Sequence, residues 1–294
     1  DNNAYGTSNQ GFSNQVLQPP PDALAEFQVV TNNTSAEYGR SAGAVVNVAY
    51  RSGTNEFHGA LWHFLRNKAL NATGFFKPTD NRKPAFSRNQ FGGTFGGPIR
   101  RNRAFFFLDY EGFREVQRVV RFSSAPTLAE RQAIFAGAVR NPLTGATYAA
   151  NTPLPASETS AFARRVLAEL PTPTAPGVAN NYSLLVGTRD YTDKYNAKFD
   201  YQISQRLSGF TRVGQRKVNI FDDPTITGPS GGGGNGYTDV LNQQLATGLT
   251  STPTPAQLIE FRLGIARTRA GKAPPGLGAA TMRDVYGIQG LPTD

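Results

Sequence analysis

The chain of 294 residues contains no cysteine, one methionine, one tryptophan and only two histidines. Without cysteine there is no disulfide, no thiol nucleophile and no cysteine-held metal. The histidines, His58 and His63, have no serine or carboxylate at a motif spacing, so they read as structural or solvent-facing. No run approaches the ~20 apolar residues that a membrane helix needs. That excludes a helical membrane protein but not a membrane barrel, whose strands alternate in polarity and escape a hydropathy scan. No initiator methionine and no charged-then-apolar leader stand at Asp1, so the sequence reads as an internal piece of a longer protein.

What is plentiful is glycine (31), phenylalanine (20) and tyrosine (11), with many asparagines and threonines. These favour strands and turns over helices. The net charge is +9, but the basic residues are scattered among carboxylates and turns. A solvated surface is expected rather than a nucleic-acid face. Asp222-Asp223 lacks the spacing of a calcium loop. Gly92-Gly93 and Gly96-Gly97 lack the lysine and helix of a phosphate cradle. No catalytic constellation, metal site or cofactor site is expected.

The organising stretch runs from Glu37 to Gly59. Before it lies a polar segment ending in Pro19-Pro20-Pro21, a helical turn opened by Asp22, and a short strand over 27–30. Tyr38-Gly39 and Ala42-Gly43 form a tight loop, and 45–50 is a strand. From residue 59 the pattern becomes alternation over 59–66, 89–96, 104–112, 194–201, 245–249 and 259–265, and more weakly over 207–214, where Phe210 falls on the face opposite Leu207 and Val213. Period two with one apolar face means a sheet wetted on one side. Short and long connections alternate between these strands. The longest, roughly 113–192, carries two predicted helices, over 127–135 and 157–170. Short turns at one rim and long loops at the other are the layout of an outer-membrane barrel.

Alternation divides the side chains. Trp62, Phe64, Phe91, Phe106, Tyr110, Tyr195, Phe199, Tyr201 and Phe261 are expected toward lipid. His63, Asp109, Glu111, Lys194, Lys198, Asp200, Glu260 and Arg262 are expected toward the lumen, with Gln90, Thr94 and Asn196. The fold class is therefore all-β, a partial antiparallel transmembrane β-barrel.

Several segments resemble the TonB-dependent outer-membrane receptors, in particular those with an N-terminal carboxypeptidase-regulatory-like domain. They are Asp22 to Val29, Ser35 to Val48, Ser52 to Gly59, Phe64 to Asn67, Arg88 to Ile99 and Phe105 to Gly112. The resemblance is dense over 22–113 and looser to the end. It implies that 1–53 is the C-terminal part of a plug domain. It implies that 54–294 holds about seven of the roughly 22 strands of a plugged barrel, with 113–192 as a long external loop. Glu37, Tyr38, Gly39, Arg40, Gly43 and Asn47 then mark the plug-to-barrel junction, with Glu37 and Arg40 as candidate ion-pair partners of the wall. Ala49-Tyr50 stands where the family more often has a threonine-lysine-like pair, which reads as neutral drift.

The function so implied is a receptor in the bacterial outer membrane that imports a bulky ligand with energy delivered by the TonB protein. The TonB contact would lie in a part of the protein N-terminal to this chain. The other partners implied are membrane lipid, lipopolysaccharide and an external ligand that no motif identifies. No enzyme, cofactor or nucleic-acid role is expected. The alternative is a structural or adhesive surface protein on the same barrel.

Overall fold

The computed structural model describes residues 19–31, 45–72, 83–227, 236–275, 282–288 and 290. It opens on a hairpin. A turn of 3₁₀ helix at Pro21–Ala23 leads into β1 (Leu24–Val30), which pairs antiparallel with β2 (Val45–Tyr50).

The remainder is one sheet. In chain order its strands are β3 (His58–Asn67), β4 (Phe86–Arg100) and β5 (Ala104–Ser123). An insertion follows, holding α1 (Leu128–Arg131), the small hairpin of β6 (Val139–Arg140) and β7 (Thr147–Tyr148), and α2 (Ala161–Glu169). The sheet resumes with β8 (Tyr182–Ser204), β9 (Leu207–Asp222), β10 (Gly236–Thr254) and β11 (Gln257–Ala273); α3 (Met282–Tyr286) comes last. The seven long strands pair in sequence order as an antiparallel meander, with β3 at one edge and β11 at the other. This is an open segment of an antiparallel barrel. Among the described residues no helix is long and apolar enough to cross a membrane.

All seven alternating segments are strands, but most run well past their predicted ends. β5 continues to Ser123 and β8 begins at Tyr182, so the long insertion spans 124–181 rather than 113–192. The backbone ladder persists there, Glu115 opposite Asp190 and Val119 opposite Val186. Polar side chains occupy both faces of that stretch, so period two fades from the sequence while the hydrogen bonds continue.

The turns at 101–103, 205–206 and 255–256 gather at one end of the sheet. The strand ends that flank 68–85, 124–181 and 223–235 lie at the other. The insertion is a structured unit rather than a loose loop. Thr127 and Glu130 form a capping box on α1, and Ser160 caps α2. Both helices are shorter than predicted. Arg131 donates to the carbonyls of Leu167, Leu170 and Pro171, satisfying the open C-terminal end of α2. Asn181, fully buried, bonds both backbone groups of Ala125 and so closes the base of the insertion. A small apolar cluster of Ala125, Tyr182 and Ile226 packs beside it.

Candidate functional site on the inner face

Register sorts every side chain of the sheet onto one of two faces. One row reads Ile265, Leu245, Val213, Ala197, Leu108, Phe95 and Gly59 across the strands from β11 to β3. The row below it holds Leu263, Thr247, Thr211, Phe199 and Phe106. This is the outer face. Most of its apolar side chains are exposed, Ile265 at 55% and Phe261 at 56%. An apolar surface of that extent needs a non-aqueous partner. Its upper boundary climbs from Ile265 on β11, through Tyr195 on β8 and Phe91 on β4, to Leu65 on β3. That is a stagger of roughly one residue per strand, as tilted barrel strands require.

The other face is polar and is where the N-terminal hairpin ends. Glu111 and Lys194 sit opposite one another and form an ion pair of 2.6 Å, both largely buried. Gln90 Nε2 donates to the second Glu111 oxygen at 2.9 Å. Asn196 Nδ2 donates to Asp109 Oδ1 at 2.7 Å. Lys198 reaches Asp200 at 3.3 Å. Thus Asp109, Glu111, Lys194, Lys198 and Asp200 share one face, and the register adds Glu260 and Arg262, which pair at 3.1 Å.

His63 does not join them. It lies opposite Phe91, its ring edge-on at 6.2 Å, with Nε2 3.0 Å from Asn89 Oδ1. This is the outer face, and Trp62 and Phe64 accordingly occupy the inner one, opposite Gly92 and Gln90. The predicted faces of β3 are therefore reversed. Both faces of that strand are apolar, so alternation alone did not choose between them. The glycines of β4 do. A Cβ on Gly92 would lie 2.5 Å from Trp62 Cζ2, and one on Gly93 would lie 2.6 Å from Leu61 Cδ2. Each glycine makes room for one β3 side chain on its own side of the sheet.

The hairpin reaches the inner face through four consecutive residues. Arg212 stands over the Tyr50 ring, 4.3 Å from its centroid, and also donates to Gln244 Oε1 at 2.6 Å. Burial pushes the Tyr50 hydroxyl up to about 12, against the opposing pull of Arg212. Arg51 Nε turns back to the Leu24 carbonyl at 3.0 Å. Lys198 Nζ donates to Ser52 Oγ at 2.7 Å. Gly53 lies against the backbone of β4 and β5: a Cβ there would come within 2.3 Å of the Phe106 carbonyl and 2.6 Å of that of Gly97. The chain then rounds the short-turn end, where Asn55 and Asn102 exchange two hydrogen bonds. Phe57 emerges on the outer face, stacked on Phe95 at 5.9 Å.

The junction residues Glu37, Tyr38, Gly39, Arg40 and Gly43 lie outside the described residues. Asn47 is within β2, opposite Gln28. The docking residues Tyr50, Ser52, Gly53 and Arg212 were missed as a site. Tyr50 read as drift, whereas it fits beneath Arg212. No local signal in sequence links positions so far apart.

Residues 49–294 match the family model described as an outer membrane beta barrel domain. A stretch of 113 residues is 32% identical to the TonB-dependent transporter Oar of Myxococcus xanthus, covering 36% of this chain and 10% of that protein. The chain therefore spans about a tenth of the length of that curated relative. No solved structure matches it. The alternating strands, the exposed apolar outer band and a family match over most of the chain lead to one conclusion: the chain belongs to the outer membrane beta barrel domain family and resides in the bacterial outer membrane.

Proposed function

We propose that this chain supplies the end of the plug and the first barrel strands of an energy-coupled outer-membrane receptor that imports a bulky ligand. The observation that carries this reading is the docking of Tyr50, Ser52 and Gly53 on the polar inner wall. A hairpin held inside a barrel by a few polar contacts is suited to be displaced and to return. The partial likeness to a transporter named TonB-dependent supports the same reading. In it the ligand binds at the external loops, the plug shifts when TonB pulls, and no bond is made or broken. TonB would engage a part of the protein outside this chain.

The test compares strains lacking the full-length gene, or the TonB gene, by mass spectrometry of compounds depleted from the medium. Import predicts that the same compound stays in the medium in both strains. Depletion that survives loss of TonB contradicts it. A second reading, an adhesive surface protein, draws on the ordered insertion with its capped helices. It predicts unchanged depletion and weakened cell attachment.

A further inference from the structure

Toward the long-loop end the inner face separates its charges. One inward row above Phe64 and Gln90, Arg66 of β3 stands opposite Arg88 of β4. Like charges directly opposite one another repel. Arg88 is answered by Glu115, with which it forms an ion pair. Arg66 has no ion pair among the described residues; its Nε donates to Asn71 Oδ1 at 3.4 Å, a weak bond. Both guanidinium groups lie over the Phe86 ring, 4.8 and 5.5 Å from its centroid, and Arg88 also covers Phe113 at 5.6 Å. Arg66 thus presents a planar donor fork backed by an aromatic ring, a form suited to a carboxylate.

Across the same face the sign reverses. Asp190 of β8 follows Glu115 in the row of the two arginines, and Asp222 of β9 stands one row higher, opposite Thr188. The two carboxylates are diagonal neighbours, about 7–8 Å apart. Asp190 accepts from Thr192 Oγ1 at 3.1 Å, and neither carboxylate has an ion pair among the described residues. Between the poles, Gln117 and Thr188 stand side by side, flanked by Phe86 and Asp222. Both side chains can donate and accept, as a ligand's amide groups require. With strands ~4.8 Å apart, Arg66 lies three spacings from Asp190, about 14 Å, and four from Asp222, about 19 Å. An extended peptide advances ~3.4 Å per residue, so four or five residues cover that span.

We propose that this strip of the inner wall binds a peptide of four or five residues with free ends. Its terminal carboxylate lies on Arg66, its ammonium group between Asp190 and Asp222, and a C-terminal aromatic side chain against Phe86 and Phe113. A single amino acid is too short to reach both poles, and a dicarboxylate or a neutral sugar offers nothing to the two aspartates. The ligand so named is the one the import reading leaves open, and its place in the lumen rests on that reading.

The test uses the full-length protein in mild detergent and a mixture of pentapeptides that end in phenylalanine and vary at the other four positions. Retained peptide is measured by mass spectrometry after equilibrium dialysis, for free, N-acetylated and C-amidated forms. Wild-type protein should retain the free peptides, and blocking either end should lower retention roughly tenfold, the scale of a charge-assisted contact. Arg66→Gln should lower retention of the free acid to that of the amide and leave the amide unchanged. Asp190→Asn combined with Asp222→Asn should do the same for the free and acetylated amino ends. Arg262→Gln, on the inner face at the short-turn end, should bind as wild type does. No retention by wild-type protein, or retention indifferent to both blocked ends, would overturn the proposal without recourse to any variant. Equal loss of acid and amide in Arg66→Gln would overturn the role given to Arg66. Peptide retention that depends on the free ends, with depletion from the medium that survives loss of TonB, would sink the import reading and leave this site standing. Depletion that needs TonB, with no peptide retained, would sink this site alone.

Discussion

The Arg212 guanidinium lies over the Tyr50 ring at 4.3 Å from its centroid, joining the last residue of the N-terminal hairpin to the wall four strands away from β3. A cation over a partly desolvated ring contributes roughly 1–2 kcal/mol. Arg212→Ala is therefore expected to release the hairpin end, seen as faster amide exchange over 45–53, while Arg212→Lys keeps part of the protection. The contact should not respond to pH in the neutral range. A raised tyrosine pKa stabilises fully below the ordinary value of 10.0 and fades only as pH climbs toward about 12. A protection factor, corrected for the intrinsic rise of amide exchange with pH, that falls between mildly acidic and mildly alkaline buffer would contradict this.

The Glu111–Lys194 pair has side-chain exposures of 3% and 14%, so neither partner is compensated by bulk water. Glu111→Gln strands the Lys194 charge, and removing one partner of such a pair costs about 3–5 kcal/mol. The double variant Glu111→Gln, Lys194→Gln should unfold in denaturant closer to wild type than either single one. A double-mutant cycle with no coupling would show that the pair is solvated after all.

Gly53 and Gly264 make a matched pair of tests. Gly53→Ala drives a methyl group into two backbone carbonyls that cannot retreat, so the hairpin end should lose its seat. Gly264→Ala meets nothing within 4 Å and should change stability by no more than about 0.5 kcal/mol. Limited proteolysis near Arg51 distinguishes them: rapid cutting in the first variant, wild-type rates in the second.

At the long-loop end, α3 is clasped onto α2. The Tyr286 ring meets Phe162 edge-on at 5.6 Å, Arg165 covers it at 5.2 Å, and its hydroxyl donates to Glu169. That hydrogen bond raises the Tyr286 hydroxyl above its ordinary value. Tyr286→Ala should speed proteolysis within 124–181, whereas Tyr286→Phe keeps the ring contacts and most of the protection. Equal cutting of all three proteins would mean that the clasp does not hold the loops together.

The strands were legible where one face is apolar and the other polar. Tyr195, Ala197 and Phe199 alternate with Lys194, Asn196 and Lys198, and the structure pairs them as that pattern requires. Their extensions were not legible, because Arg114 to Arg118 and Thr188 to Asp190 place polar side chains on both faces. The orientation of β3 was hidden for the opposite reason: Leu61 and Leu65 match Trp62 and Phe64 in apolarity, and only Gly92 and Gly93 on the neighbouring strand decide. The docking of Tyr50 depends on β9, more than 150 residues away in sequence, which no local pattern encodes.

The most direct test of the account is the movement of Ser52. In the full-length protein, made free of other cysteines, Ser52→Cys sits at rest against Lys198 on the inner wall. Labelling by a water-soluble thiol reagent is measured in living cells with and without TonB. Ser52 is exposed at its resting contact, so labelling proceeds without TonB; the account predicts that its rate changes markedly when TonB and ligand-containing medium are both present. Labelling that is equally fast with and without TonB would contradict it.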